Sequence, residues 1–264
     1  MVLALTDRAV IAVSGPEARA FLQGLITNDV EKVAPGRALY AALLTPQGKI
    51  LFDFLVSESD GTLLLDCRRE AREALMTRLS LYKLRAKVEI KARDDLGVFA
   101  ALDGESLPDG FADPRLPALG MRAIATEDTV AAQSGAETYQ AFRLGIGVPE
   151  GCDFGSDKMF ALDAGLDELH GVSFDKGCYV GQELTARMKH RGTARKRLLP
   201  LTTSDATPLA PGKPVTADAQ EIGTVASVYG SRGFATIRLD RLAKAPFEVE
   251  GREVKVSKPS WHSP

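Results

Sequence analysis

The chain has 264 residues, 45% apolar and 26% charged, with a formal net charge of −2, which predicts one large globular domain or two to three smaller ones. No apolar run approaches the roughly 20 residues of a membrane helix, the N-terminus lacks a signal or transit pattern, and Cys67, Cys152 and Cys178 form no C-x-x-C pair. These features argue against a membrane partner, a disulfide framework and a self-contained metal site, and they predict a cytoplasmic address.

The first part of the chain predicts an α+β unit built on an antiparallel sheet. Apolar spacing and turn signals indicate, in chain order, a strand at 9–13, a helix from Pro16, strands at 37–44, 49–57 and 62–66, a helix at 68–81 and a strand at 86–92. Residues 103–120 are rich in proline and glycine and read as an irregular connection. We therefore expect a region 1–195 made of two α+β subdomains that divide near 95–120.

The second part of the chain predicts helices at 136–144, 159–170 and 182–189, with a glycine-rich loop at 145–155. From residue 196 the apolar residues alternate in short segments separated by glycine and proline turns. That pattern is typical of a small antiparallel β-barrel or sandwich, so we expect a C-terminal β-barrel over 196–264.

A basic segment lies between these regions, with six cations and no acid over 187–197. A solvated surface is one interpretation of such a run, and capture of an anion such as a folate polyglutamate tail or an acidic partner surface is another. RNA binding is a third, but the run has no interleaved aromatic residues for base stacking, so a nucleic-acid partner is not expected.

The most informative stretch surrounds Cys178. Gly177 and Gly181 allow tight turns on either side of Cys178 and Tyr179, and good helix formers follow Gly181. This pattern places Cys178 just before a helix N-terminus, with Lys176 two residues upstream, and both features favour the thiolate form. The sulfur is then nucleophilic or competent to bind a metal. The alternative is that Cys178 is a small buried hydrophobe.

The stretch Lys176-Gly177-Cys178-Tyr179-Val180-Gly181-Gln182-Glu183 resembles the K-G-C-Y-x-G-Q-E signature of the YgfZ family. The N-terminal segments 21–30 and 44–53 and the flanks of the signature also resemble that family, so the similarity covers most of residues 5–200. The resemblance implies a fold like the glycine-cleavage T-protein, with three subdomains in a cloverleaf around a central tetrahydrofolate channel. It also implies a role in the assembly or repair of iron–sulfur clusters, in contact with client enzymes or assembly factors and with a transient cluster.

The same resemblance implies the site residues. Lys176, Cys178, Tyr179 and Gln182 are the predicted working residues of the signature. The predicted folate contacts are Asn28, Gln47, Asp53, Arg143 and Arg187.

Two of these assignments have simpler alternatives, and the sequence also departs from its relatives. Asp53 suits a solvent-facing strand position, and Asn28 suits a turn. T-proteins that resemble this chain carry two adjacent acids where Phe52 and Asp53 stand, and relatives often carry a pterin-binding glutamate where Gly145 stands.

Two further functions therefore stay open beside iron–sulfur assembly. One is a folate-dependent aminomethyltransferase, but Phe52 and Gly145 stand where such relatives carry acids, which argues against this activity. The other is a folate-linked RNA-modification accessory, for which binding should weaken steeply with salt.

Overall fold

The computed structural model describes residues 1–192, 195–203, 208–242 and 246–262. The first ten strands and two helices are β1 (Val2–Ala4), β2 (Arg8–Ser14), α1 (Ala18–Gln23), β3 (Leu39–Leu44), β4 (Ile50–Ser59), β5 (Thr62–Arg68), α2 (Arg72–Lys83), β6 (Glu89–Ala92), β7 (Gly97–Ala101), β8 (Phe111–Ala112), β9 (Met121–Ala125) and β10 (Gln133–Ser134). They are followed by α3 (Ala136–Gly145), α4 (Gly151–Phe154), α5 (Gln182–Arg191), β11 (Lys196–Thr203), β12 (Pro214–Ala217), β13 (Gln220–Tyr229), β14 (Arg232–Arg238), β15 (Phe247–Val249) and β16 (Arg252–Val256).

The N-terminal sheet has the antiparallel order β3-β4-β5-β2-β6. Side chains alternate between its two faces, and one face packs on α1 and α2 through residues such as Leu22, Phe54, Leu75 and Leu79, each fully buried. The predicted strands and both predicted helices of this unit are confirmed, with ends shifted by a few residues.

A second sheet has the order β10-β1-β7-β9-β8. Its strand β1 comes from the very start of the chain and pairs with β7, with Leu3 opposite Ala100. The sequence analysis missed β1, β7 and β9. A short strand whose partner lies almost a hundred residues away carries no local turn signal.

The C-terminal strands close into a barrel in the order β11-β14-β13-β12-β15-β16. Its interior is apolar and includes Leu199, Ile222, Ile237 and Val249, which are fully buried. Closure satisfies the strand edges, which explains why such short strands form a stable unit. The expected barrel is confirmed, and a sandwich is excluded.

The predicted helix over 159–170 is wrong. Leu162, Leu166 and Leu169 have helical spacing and are buried, but the backbone forms successive turns. Gly165 has a φ of +75°, a left-handed conformation that ends any helix there.

None of the helices in the described parts of the chain is both long enough and apolar enough to cross a membrane.

Candidate functional site

The signature segment lies across the loop that follows α1. The amide of Ser173 donates to the carbonyl oxygen of Thr27 at 3.0 Å. The Thr27 hydroxyl donates to the carbonyl oxygen of Gly171 at 2.6 Å. Thr27 is fully buried, so these bonds are shielded from water and fasten the two segments together.

Lys176 completes this attachment. Its Nζ donates to the carbonyl oxygens of Gln23, Ile26 and Asn28 at 2.7, 2.7 and 2.8 Å. These carbonyls lie at and just beyond the end of α1, where helix carbonyls lack internal partners and a cation is favoured. Burial lowers the pKa of Lys176 to about 8, although the Asp29 carboxylate acts in the opposite direction.

The Lys176 ammonium therefore has a structural role that the sequence analysis did not foresee. It also lies 5.2 Å from the centre of the Tyr179 ring. The described contacts of its Nζ atom are with these groups and not with Cys178, so Lys176 positions the segment rather than forming an ion pair with the thiol. Tyr179 is itself buried, and burial raises its pKa to about 12, so the phenol is neutral near pH 7.

Cys178 is an exposed free cysteine. The alternative that it is a buried hydrophobe is therefore wrong. The helix α5 begins at Gln182, where the sequence predicted it, so Cys178 lies four residues before the helix, and the influence of a helix dipole weakens beyond the first turn.

The other two cysteines are in different surroundings. Cys67 is buried in the N-terminal sheet, and burial raises its thiol pKa to about 12. Cys152 is at the surface, but desolvation of its sulfur also raises its thiol pKa to about 12, and the sulfur accepts a bond from Nη2 of Arg143 at 3.1 Å. Over the described residues, no group of three or more histidine, cysteine, aspartate or glutamate side chains is arranged to hold a metal ion.

The far end of the signature is fixed by backbone packing. Gly181 has a φ of +81°, and a Cβ atom built on it would lie 2.5 Å from the Thr45 carbonyl oxygen. Gly48 lies in the same contact, with its own Cβ position 3.2 Å from the Gly181 carbonyl oxygen. Only glycine allows the two backbones to approach this closely. Gln182 follows, and its Oε1 accepts from the Tyr179 amide at 3.3 Å, while Gln47 is exposed on the facing turn.

A buried ionic network joins the three subdomains. It contains four arginines and four carboxylates joined by ion pairs, each at most 4% exposed. Its members are Arg8, Arg115, Arg122, Arg143, Asp66, Asp113, Glu150 and Asp153. Glu150 is central, since it accepts from Arg115 at 2.7 Å and from Arg8 at 3.3 Å. The network reaches the barrel through Asp153, which accepts from the Ser227 hydroxyl at 2.6 Å.

One predicted folate contact, Arg143, belongs to this network, and a second, Asp53, lies beside it. All five N–H donors of Arg143 bond within the protein, to Gln140, Val148, Cys152 and Asp153. Asp53 accepts from the Tyr40 hydroxyl at 3.0 Å, and burial together with the Glu150 carboxylate raises its pKa. Asp53 is therefore neither at a solvent-facing strand position nor at the wall of an open channel. All donors of the Arg143 side chain are used internally, so it has none left for a folate, whereas Asp53 accepts one bond and is enclosed among other residues.

Asn28 lies elsewhere, in an open cleft of about 590 Å³ between the N-terminal sheet, the second sheet and the signature segment. Its Nδ2 donates to the carbonyl oxygens of Tyr40 in β3 and of His170, both at 2.7 Å, so its amide joins this strand to the turns that end at residue 170. Asp53, Arg143, Gln47 and Arg187 do not line this cleft. The five predicted contacts are thus not gathered around it.

The basic segment is partly neutralised by acids from outside it. Arg187 pairs with Glu183 at 2.6 Å, as the i,i+4 spacing predicts, and Lys189 pairs with Asp167 at 2.9 Å. Arg197 lies 3.7 Å from Glu168. These contacts favour the interpretation of a solvated surface. Thr193 and Ala194, within the segment, lie outside the described residues.

Sequence reasoning missed most of the ionic network. One signal was present: Asp66 directly follows three leucines in a predicted strand, and an acid in such a strand needs a buried partner. The partners Arg8 and Arg122 lie 58 and 56 residues away along the chain, which no local pattern reveals.

Two protein-family models and a solved structure match this chain. The GCVT N-terminal domain model matches residues 4–104, and the CAF17 C-terminal β-barrel domain model matches residues 195–264. The crystal structure of the glycine cleavage system aminomethyltransferase T from Bartonella henselae superposes with a TM-score of 0.76 at 17% identity, covering 99% of this chain and 86% of that one. The expected T-protein fold is confirmed.

Two curated relatives are more similar in sequence. The mitochondrial iron–sulfur cluster assembly factor IBA57 of Mus musculus is 34% identical over 94% of this chain and 80% of its own length. The Homo sapiens protein of the same name is 34% identical over 97% of this chain and 84% of its own length. Because these relatives are mitochondrial, the predicted cytoplasmic address is contradicted. Their extensive similarity shows that this chain belongs to the IBA57 family of iron–sulfur cluster assembly factors.

Proposed function

We propose that the protein supports the maturation of four-iron clusters in client enzymes, with the Cys178 thiol touching the cluster during transfer. The observation that carries this proposal is the position of Cys178, a free and exposed thiol on a segment that is fastened at both ends. Lys176 holds the upstream end through three carbonyls, and Gly181 packs against Thr45 at the downstream end. An exposed thiol on a fixed segment is ready to bind iron without reorganisation of the loop.

A single thiol sets a limit on the chemistry. A four-iron cluster needs about four thiolates, so a partner protein supplies the remaining ligands and Cys178 acts as one transient ligand. A cluster reconstituted on the isolated protein should therefore be substoichiometric and labile. A stable cluster at one per monomer would contradict this role.

Rescue of cells that lack the gene tests the proposal. Cys178→Ser and Cys178→Ala should abolish recovery of four-iron enzyme activity while leaving the melting temperature almost unchanged, because an exposed sulfur fills no cavity. Cys152→Ser is the matched control, since a hydroxyl can still accept the bond from Arg143. Full rescue by Cys178→Ala would refute the role of this thiol.

A reduced folate is the second candidate ligand, and we propose the cleft that Asn28 lines as its binding site. The observation that favours it is the cleft's mixed lining, in which Lys32 and Arg37 are cations, Val172 and Phe174 are apolar, and Asp113, Asp167 and Asp175 are acidic. Cations suit the glutamate tail and apolar surfaces suit a flat ring. Calorimetry with tetrahydrofolate should give binding that Arg37→Glu weakens and Asp53→Asn does not. Absence of binding at millimolar ligand would remove folate from the mechanism.

A further inference from the structure

The C-terminal end of α2 carries exposed apolar side chains. Leu81 is 65% exposed and Leu84 is 88% exposed, whereas Leu75 and Leu79 of the same helix are fully buried. Leu81 lies in the last turn of α2 and Leu84 is the residue that follows the helix, so both belong to this end of it. We call residues 78–87 the leucine patch. Two large aliphatic side chains left together in water indicate a contact surface more than chance exposure does.

The backbone at Leu84 supports this interpretation. Leu84 ends α2 with φ +45° and ψ −108°, a conformation that leucine rarely adopts and that glycine or asparagine would adopt more easily. The strained conformation turns the chain out of the helix while Leu84 remains almost fully exposed. A strained backbone that displays an apolar side chain indicates a function outside the fold.

Charge on the patch is also unbalanced. Arg78, Lys83, Arg85 and Lys87 lie in the patch, and no acid occurs between residues 78 and 87. Neighbouring cations of the same subdomain are paired, as Arg72 is with Glu73, Lys91 with Glu89 and Arg93 with Asp95.

In the portion of the chain that the structure describes, none of the four patch cations forms an ion pair. Tyr82 packs against the N-terminal core rather than standing free for base stacking.

We propose that the leucine patch docks an acidic segment of a partner protein. The apolar side chains of the partner would contact Leu81 and Leu84, and its carboxylates would pair with the surrounding cations. The inference rests on the proposed function, which requires a second protein to complete the cluster ligands. A second copy of this chain does not suit the patch, because an isologous contact would bring like charges together. A flat anionic bilayer suits it less, because the carboxylate of Glu17 accepts from the Lys87 amide and Glu89 is also exposed at this edge.

Binding by the full chain tests the chemistry of the patch. The probe is a labelled amphipathic peptide with glutamates on one face and leucines on the other, compared with the same peptide carrying serine for leucine. The wild type should bind the leucine peptide about tenfold more tightly than the serine peptide, with an affinity that falls as salt rises. Leu81→Ser/Leu84→Ser and Arg78→Glu/Arg85→Glu should each weaken binding about tenfold.

Matched surface changes on the barrel are the controls. Tyr229→Ser removes another exposed apolar group, and Lys255→Glu/Lys258→Glu reverses two exposed charges, and neither should alter binding. Unchanged peptide binding by Leu81→Ser/Leu84→Ser would overturn the proposal. So would tighter binding, through the same residues, of an RNA oligomer or of phosphatidylserine vesicles.

Rescue in cells separates this inference from the proposed function. The Leu81→Ser/Leu84→Ser variant should lower recovery of four-iron enzyme activity while the alkylation rate of its Cys178 stays at the wild-type value. If this variant rescues fully while Cys178→Ala fails, the patch proposal is wrong and the proposed function stands. If Cys178→Ala also rescues fully, the proposed function itself is wrong.

Discussion

The Nζ atom of Lys176 donates to the carbonyl oxygen of Ile26 at 2.7 Å, although 150 residues separate the two along the chain. This bond ties the cysteine-bearing segment to the loop that follows the first helix of the N-terminal subdomain. Replacing Lys176 with methionine keeps an unbranched side chain but removes the ammonium group, which leaves three carbonyl oxygens without their donor.

We expect Lys176→Met to destabilise the protein by about 1–3 kcal/mol, the scale for buried polar groups that lose a partner. Hydrogen exchange should quicken at the Ser173 amide, which lies in the same attachment. Lys176→Arg keeps the charge and should lose less stability. Equal stability and equal exchange in Lys176→Met and wild type would show that the lysine does not fasten the segment.

The three thiols should react at very different rates. Cys178 is exposed, whereas burial raises the thiol pKa of both Cys67 and Cys152 to about 12, so these two are almost wholly protonated near pH 7.5. Alkylation with iodoacetamide, followed by peptide mass spectrometry, should label Cys178 first by at least about tenfold. Equal labelling of all three thiols would contradict the assignment of Cys178 as the accessible one.

The two glycines of the signature should differ in how much stability the same substitution costs. Gly181→Ala places a Cβ atom 2.5 Å from the Thr45 carbonyl oxygen at a φ of +81°, so the backbone must shift. We expect a loss of roughly 1–3 kcal/mol in the free energy of unfolding. A Cβ atom on Gly177 would have no neighbour within 4 Å, so Gly177→Ala is the control and should cost little. Similar losses in both variants, measured by urea unfolding, would refute the close contact.

Glu150 should be the most sensitive carboxylate of the ionic network. Burial opposes its ionisation, but Arg8, Arg115 and Arg143 outweigh burial and hold its pKa well below the usual range. Glu150→Gln removes a negative charge that these buried guanidinium groups need for neutralisation. We expect the free energy of unfolding to fall by about 3–5 kcal/mol.

The lowered pKa of Glu150 determines how the stability of the protein depends on pH. A carboxylate with a lowered folded-state pKa stabilises the protein above its unfolded pKa near 4.5, and this stability declines as pH falls below it. Urea unfolding at a series of pH values should show this dependence in the wild type and a weaker one in Glu150→Gln. Glu105→Gln, which removes an exposed ion pair with the N-terminus, is the control and should change stability little at any pH.

The contribution of Asp163 to stability should depend on pH in the opposite direction to that of Glu150. Burial raises its pKa from 3.8 to about 6, although Arg197 and Lys196 act against this rise. The folded state therefore holds more protons than the unfolded state between these two values, so this group's contribution to stability decreases as pH rises through that window.

Asp163→Asn should then stabilise the protein at pH 7.5 by about 1–2 kcal/mol, a figure reduced for partial exposure, and should have little effect near pH 4. Asp157→Asn, at an exposed position, is the control. Thermal unfolding that shows destabilisation by Asp163→Asn at pH 7.5 would contradict the unfavourable burial of this carboxylate.

Local patterns in the sequence were enough to predict the antiparallel N-terminal sheet, the helix after Gly181 and the barrel from residue 196, because strand alternation, helical spacing and glycine turns act between near neighbours. The motif around Cys178 was likewise readable from residue types alone, and so was the need for glycine at position 181. The sequence did not show what each charged side chain would meet. Lys176 looked like a partner for a thiol, and Asp53 and Arg143 looked like ligands for a folate.

Tertiary structure decided those roles. Lys176 meets carbonyls 148 to 153 residues away, and Arg8 meets Glu150 across 142 residues, so neither contact is visible in a local pattern. The segment 159–170 has the spacing of a helix, yet a left-handed glycine and burial against neighbouring elements make it a series of turns. Hydrophobic periodicity specifies which face of an element is buried, but only the packed fold determines which polar groups are enclosed together, because that depends on contacts between distant parts of the chain.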